Sequence, residues 1–421
     1  MPHPPNPSSA QPIFSTEHLF RETYGEVFSL LYRRYGPAHQ ESIEDALQEA
    51  FYAALKVWPT KGLPQKPQAW LLTVAQHKLL NHLKRSNLHQ AAAQQYAQEN
   101  PAVALCEGET QESQLQLLFA CCHPKLSESA QIIFALKHLG GFGVEEIAQG
   151  VQQSKEAVYK SLQRSRKFFQ TLSPDFMELD IQASPDRLQN VLRILYLLFN
   201  EGYDTTQGNN LLNRDICLEA VRLTHLLQEK MGQQRLEVRH LLALQYFQLS
   251  RFETRLDDQG RFVPLSRQDR SQWDKPLISR GYHFLKEAFP RQLNPYYLQA
   301  CIAGLHAAAP TYAQTDWCAI KRLYDLLLQQ NNSFIIALNS AIAVAECDGV
   351  AQGINLLLDL KESAAHYYLY HIALGDLYHR SRQPAQAKAC YQTALRLTSS
   401  PARQEIIQQK QEQVPTSQPE A

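Results

Sequence analysis

VEEIAQGVQQSKEAVYKSLQRSRKFF, residues 144–169, reads as two short helices joined by a tight turn. Val144, Ile147 and Ala148 give the first an apolar face, Gly150 supplies the turn, and Ser154 caps the second. The buried side of that second helix is expected to be Ala157, Val158, Leu162 and Phe168/Phe169. Its other side is basic, with Lys155, Lys160, Arg164, Arg166 and Lys167. Such a helix-turn-helix suits a major groove, its first turns meeting base edges and its cations meeting phosphate. Base contacts are expected from Lys155, Glu156, Tyr159, Lys160 and Gln163, and phosphate contacts from Arg164, Arg166 and Lys167. A plain trihelical bundle has the same pattern, so the flanking sequence has to decide.

Immediately upstream, Gln111 to His123 is helical, and Ser127, with Glu128 behind it, caps a further helix. Ile132, Ile133, Ala135, Leu136 and Leu139 of that helix form the core under the motif, and Gly140-Gly141 closes it. Further back lie three more helical stretches. Leu19, Phe20, Tyr24, Val27, Phe28, Leu31 and Tyr35 recur at helical spacing before Gly36-Pro37. Glu41 to Trp58 follows with a stripe of Ile43, Ala46, Leu47, Ala50, Phe51, Ala54 and Leu55, opposite Glu44, Asp45, Gln48 and Glu49. After the loop PTKGLPQKP, Pro67 to Ser86 buries Leu71, Leu72, Val74, Ala75, Leu79 and Leu83 and exposes Gln76, His77, Lys78, Asn81, Lys84 and Arg85. No acidic residue occurs from Pro59 to Gln90, so a basic field faces the acids of the preceding helix.

The 421 residues suit two or three domains, and 41 basic residues balance 41 acidic ones. A neutral chain holds DNA weakly by itself, because affinity for the duplex comes mainly from phosphate neutralisation; a partner is expected to keep it there. Eight cysteines (106, 121, 122, 217, 301, 318, 347, 390) without a CxxC argue for reduced thiols in cores. Cys121-Cys122-His123 is no metal motif, since adjacent helical cysteines point about 100° apart and no second ligand pair follows. No metal or other cofactor is expected. The chain lacks a Gly-rich phosphate loop and a nucleophile motif, which speaks against an enzyme. No apolar run long enough for a membrane span and no secretory pattern occur, so a cytoplasmic, membrane-free protein is expected.

DALQEAFYAALKVW (45–58), the proline-bearing loop, AWLLTVAQHKLLNHLKR (69–85), a linker, then LSESAQIIFALKHLGGFGVEEIAQGV and KEAVYKSLQRSRK resemble the extracytoplasmic-function (ECF) group of sigma-70 RNA polymerase sigma factors. The resemblance implies region 2 over 15–88, a linker over 89–110, and region 4 over 111–172. It makes core RNA polymerase and promoter DNA the partners. Asp45, Gln48 and Glu49 fall where the family docks on polymerase. Lys61, Lys66, His77, Lys78, Asn81, Lys84 and Arg85 fall where it captures the unwound −10 strand, a task suited to a positive groove. Region 4 would read the −35 element. Gln76-His77 stands where the family commonly has Arg-Asn, and Asn81 where it has Asp. Glu107 and Glu109 belong to the connector that the family lays along polymerase channels.

Beyond residue 180 the chain stays helical: VLRILYLLFNEGY, RDICLEAVRLTHLLQEK and LEVRHLLALQYFQLSRFETR are strongly periodic. HIALGDLYHRSRQPAQAKACYQTALRL matches the tetratricopeptide (TPR) pattern through Leu374-Gly375, Tyr378, Ala387, Tyr391 and Ala394, with a looser copy over 337–358. Stacked helix pairs of this kind form concave protein-binding surfaces, so a protein ligand is expected. LFNEGY (198–203), DRSQWD (269–274) and YYLQACIAGLHA (296–307) resemble an ECF subgroup with a TPR-like C-terminal domain. Within LFNEGY, Gly202 reads as a helix C-cap. The expectation is thus an all-α chain: two small sigma domains, a TPR-like domain over 180–410, and disordered tails over 1–14 and 411–421. A helix-turn-helix regulator with an interaction domain is the rival reading.

Overall fold

The computed structural model describes residues 16–85, 107–172 except 152, 185–203, 212–231, 235–286, and 293–415 except 332 and 399. The expected N-terminal tail, nearly all of the linker and the junction 173–184 lie outside these residues. Among the described residues the chain is all-α, and its one extended pairing is an isolated bridge between Leu256 and Phe262. It divides into two compact units, 1–194 and 195–421.

In the first unit, α1 (Thr16–Tyr35) stops at Gly36, whose φ of 79° suits glycine and whose N–H returns to the Tyr32 carbonyl at 2.9 Å. Helix α2 (Gln40–Lys61) runs three residues past the expected end, through Pro59, and Gly62 closes it at φ 83°. Proline costs little there because the carbonyl it leaves without a donor belongs to Leu55, a solvent-facing residue. Leu55 is 62% exposed and Phe51 only half-buried, contrary to the expected stripe. The buried arc is narrower, Ile43, Ala46, Leu47, Ala50 and Ala54, and Leu55 sits about 100° round from Ala54.

Helix α3 (Pro67–Arg85) packs along α2, with Trp58 and Trp70 edge to face at 5.6 Å. Gln76, expected on its outer face, is buried at 8% exposure. Helix α4 (Glu107–Cys121) begins four residues before the expected start at Gln111, because its apolar pattern starts only at Leu115 and leaves its first turns unmarked. Then come α5 (Glu128–His138), α6 (Val144–Gly150) and α7 (Lys155–Gln170). Ser127 caps α5 as expected, its Oγ accepting from Ala130 N at 3.3 Å. Buried Gln131 ties the preceding loop down, its amide donating to the Leu126 and His123 carbonyls at 2.7 and 3.2 Å.

The two expected modules share one core. Helix α1 packs on α4 and α5 as well as on α2 and α3. Phe28 stacks on the His138 ring at 4.4 Å, Gly25 meets the Leu139 backbone, and Arg34 pairs with Glu109 at 2.8 Å. The early turns of α8 (Pro185–Tyr203) also belong here: Asn190 donates to the Cys122 carbonyl, and Arg193 pairs with Glu128.

The second unit is a succession of helices that pack chiefly on their sequence neighbours: α9 (Arg214–Met231), α10 (Leu236–Leu249), α11 (Lys275–Lys286), α12 (Pro295–Ala308), α13 (Trp317–Gln330), α14 (Phe334–Cys347), α15 (Val350–Asp359), α16 (Lys361–Ala364), α17 (Tyr368–Arg380), α18 (Pro384–Leu397) and α19 (Pro401–Glu412). Small residues set the close approaches. A Cβ on Gly375 would lie 2.7 Å from the Tyr391 ring, and one on Gly353 would lie 2.4 Å from the Ala345 Cβ. Gly202 is another such site, not a cap: it sits inside α8, where a Cβ would fall 2.6 Å from the Asn213 carbonyl.

Cys318 and Cys347 are disulfide-bonded, with Cα atoms 5.1 Å apart, which corrects the expectation of reduced thiols at these two positions. The hairpin of α13 and α14 places the first turn of one helix beside the last residue of the other, a proximity that 29 residues of separation conceal. Cys121, Cys122 and Cys217 are free and buried. No helix among the described residues is long and apolar enough to cross a membrane.

Candidate nucleic-acid interface

Helix α7 has a buried stripe of Val158, Ser161, Ser165 and Phe169. The two serines were not among the expected core residues, whereas Ala157, Leu162 and Phe168 are only half-buried. Small hydroxyl side chains let α7 lie close to its neighbours, and Phe169 anchors it against Phe134 at 4.7 Å between ring centroids. Ser154 caps the helix through the Ala157 N–H at 3.1 Å. Gly150 is the last residue of α6 and is buried, so the turn proper is 151–154.

This anchoring leaves Lys155, Glu156, Tyr159, Lys160, Gln163, Arg164 and Lys167 exposed together on the outer side of α7. Tyr159 is 56% exposed among the described residues, large for an aromatic side chain. Lys155 pairs with Glu145 of α6, and the Glu156 carboxyl is held below the usual range by its own backbone N–H and by Ser154. Arg166 is turned away from the others: it is half-buried and pairs with Glu41 of α2. That pairing joins residues 125 apart and has no signal in the sequence.

On α2, Asp45 and Gln48 are exposed, and Tyr52 and Leu55 continue the same stripe at 59% and 62% exposure. The last two were missed in the sequence because their spacing also fits a core face. Glu44 behaves differently from its neighbours. It is half-buried, accepts from Gln40 Nε2 at 2.9 Å, and burial pushes its carboxyl up. On α3 and the loop before it, Lys61, Lys66, His77, Asn81 and Lys84 are exposed, while the Arg85 side chain lies outside the described residues. Lys78 and His82 both reach Glu49, at 2.9 and 3.0 Å, and hold its carboxyl below the usual range, Lys78 most strongly. The acidic and basic faces therefore meet at Glu49. An ion pair this exposed is weak enough to yield to a partner.

Cys121 and Cys122 are core residues whose thiols burial pushes up, and His123 rests edge-on against Phe168 at 4.9 Å. No group of three His, Cys, Asp or Glu among the described residues could hold a metal ion.

Residues 19–88 match the sigma-70 region 2 family, the segment containing α2, α3 and every residue just placed on them. Over 159 residues, 36% of this chain and 88% of the relative, the sequence is 27% identical to RNA polymerase sigma factor YlaC of Bacillus subtilis (strain 168). Residues 19–88 are thus a sigma-70 region 2 segment, and the two likenesses together support a sigma factor of the sigma-70 family. That match supports a role in transcription initiation, with core RNA polymerase and promoter DNA as the partners region 2 implies. The chain is also 32% identical over 372 residues to uncharacterized protein R00370 of Rhizobium meliloti (strain 1021), covering 85% of this chain and 86% of the relative. That likeness runs well beyond region 2. Residues 187–289 match a family of unknown function, DUF6596. No solved structure matches the chain.

Proposed function

We propose that the chain is an ECF-type sigma factor. In this reading α2 docks on polymerase, α3 and its preceding loop hold the unwound −10 strand, and α7 reads the −35 element as the recognition helix of a helix-turn-helix. The C-terminal unit is a TPR-like module, attached covalently, that regulates the factor or contacts polymerase in place of a separate membrane anti-sigma partner. The protein does no covalent chemistry of its own and works in the cytoplasm beside the polymerase.

The observation that carries this reading is the pairing of faces on α2 and α3. Asp45, Gln48, Tyr52 and Leu55 form a mixed polar and apolar stripe open to a protein surface, next to a helix whose exposed charges are basic. A simple DNA-binding regulator has no use for that stripe. Run-off transcription with purified core polymerase separates the two: a sigma factor starts transcripts, whereas a regulator adds nothing to core enzyme alone.

Two substitutions on α7 test its share. Lys160→Ala should cost roughly 1–3 kcal/mol and change the −35 preference, as loss of a base contact does. Arg164→Ala should weaken all promoters alike and flatten the salt dependence by about one unit of slope. Identical promoter profiles in wild type and both variants would remove α7 from the promoter. For the C-terminal module the comparison is between the full chain and one lacking residues 176–421. Unchanged polymerase affinity and promoter output across conditions would end the regulatory reading.

A further inference from the structure

Three arginines of the C-terminal unit, Arg251, Arg255 and Arg270, gather around two aromatic rings. The guanidinium centres of Arg251 and Arg270 lie 5.5 and 5.2 Å from the Trp273 ring centroid, and that of Arg255 lies 3.8 Å from the Tyr203 ring. Arg255 and Arg270 are each 4% exposed. Their hydrogen bonds go to neutral oxygens. Arg255 Nη1 donates to the Tyr203 carbonyl, Arg270 Nη1 to the carbonyls of His306 and Ala309, and Arg251 Nε to Gln268 Oε1 at 3.1 Å. Among the described residues no carboxylate pairs with any of the three, and the Arg255 Nε and the Arg270 Nε and Nη2 atoms are buried without a partner. Burial lowers the Arg251 and Arg270 guanidinium groups from their ordinary value, and a neighbouring arginine lowers each further, Arg255 for Arg251 and Arg251 for Arg270. Burial, together with Arg251 and Arg270, brings the nearby His306 imidazole down to about 3, so it is neutral and adds no further cation.

Arg251 lines a cavity of about 310 Å³ with Tyr203, Gln248, Trp273 and His306, against an apolar wall that includes Phe247 and Ile302. Tyr203 Oη, Trp273 Nε1, His306 Nδ1 and Gln248 Oε1 are buried there with no hydrogen-bond partner. Tyrosine and indole bring donors, and arginine brings a planar fork that matches an oxyanion. Clustered buried cations without a counter-charge are unfavourable, and a few convergent donors on an apolar wall are the make-up of a ligand pocket.

We propose that this cavity binds a small organic anion, with a carboxylate or phosphate head on Arg251 and a compact apolar body against the Phe247–Ile302 wall. Tyr203, Phe247, Gln248, Arg251 and Trp273 lie in the segment that matches the family of unknown function, and Ile302 and His306 lie beyond its end. Its existence does not depend on the sigma-factor reading, because binding is measured with no polymerase or DNA present.

The test is thermal unfolding and calorimetry of the full chain at constant ionic strength, with chloride replaced by inorganic phosphate or by benzoate, and with neutral benzamide as control. In wild type, phosphate or benzoate should raise the unfolding midpoint saturably, by about 2–4 °C, while benzamide leaves it unchanged. The better of the two anions separates a phosphate site from a carboxylate site. Arg251→Met should weaken anion binding at least tenfold and leave the anion-free midpoint equal or higher, since a half-buried charge with no paired carboxylate, beside two buried arginines, has been removed. The proposal fails if neither anion stabilises wild type more than chloride does, or if Arg251→Met responds as wild type does. A second variant, Asp204→Asn with Glu287→Gln, removes two acids of this half that lie outside the described residues. It should respond like wild type. If the response appears only in that variant, one of the chain's own carboxylates neutralises the arginines and no external anion is needed, which also overturns the proposal.

Discussion

A Gly25→Ala chain is expected to lose the packing of α1 on α5. The added Cβ would fall 1.9 Å from the Leu139 carbonyl oxygen and 2.9 Å from its carbonyl carbon. Both atoms are backbone, so no rotamer change relieves the clash. Leu139 is itself fixed, because its N–H bonds to the Ala135 carbonyl at 2.9 Å and its side chain is fully buried. Overpacking of a core typically costs 1–3 kcal/mol, and a backbone obstacle puts this position at the upper end, about 3 kcal/mol. Native-state hydrogen exchange should find faster exchange in α1 and α5 and unchanged exchange in α17 and α18 of the other unit. Wild-type protection in α1 and α5 would show that the contact does not hold the two modules together. The same variant bears on function, because Gly25–Leu139 and the Arg166–Glu41 pair are among the contacts that join the region carrying α2 and α3 to the region carrying α7. The ion pair alone is partly exposed and worth at most about 1 kcal/mol, so the glycine contact is the stronger tie.

Much of this first unit was legible from local chemistry. The serines at 127 and 154 mark the starts of α5 and α7, and Lys155, Lys160, Arg164 and Lys167 fall outside because Val158 and Phe169 turn the opposite face of α7 inward. What stayed hidden depends on partners far away in the chain. Leu55 has core chemistry and near-core spacing, yet it is 62% exposed among the described residues. Ser161 and Ser165 have surface chemistry, yet they lie beneath α7 where a larger side chain has no room. Arg166 is indistinguishable from Arg164 in sequence until Glu41, on another helix, claims it. The same holds for the C-terminal unit. Gly375 and Tyr391 announce their interlock through repeat spacing, whereas Arg251, Arg255 and Arg270 look like ordinary surface residues of a polar loop and converge only after Trp273 folds between two of them. The Cys318–Cys347 bond escaped for a related reason, since no motif marks a pair whose proximity is made by a helical hairpin.

His138 gives the first unit an expected sensitivity to acid. Its ring is 1% exposed, lies between Phe28 and Phe134 with centroids 4.4 and 4.2 Å away, and meets Gln40 Nε2 at 3.3 Å through its own Nε2. The Gln40 amide donates, so the ring proton belongs on Nδ1, which is buried without a partner. Burial, aided by Lys137, pushes the imidazole well below its ordinary value. The unfolded chain therefore binds a proton near pH 6.5 that the folded chain refuses, and stability present above that pH is lost as pH falls below it. The limiting slope is about 1.4 kcal/mol per pH unit until the folded-state value is reached. Acidic residues titrate in the same range, Glu44 beside Gln40 among them, and a difference between variants isolates the histidine. His138→Phe keeps a ring in the aromatic stack, and Gln40 retains its bond to Glu44. Urea unfolding of wild type and variant should give similar stability at pH 7.5 and curves that diverge below pH 6.5, with the variant losing less. Parallel curves down to pH 5 would mean that His138 takes up its proton inside the fold, and the neutral buried ring between the two modules would have to be abandoned.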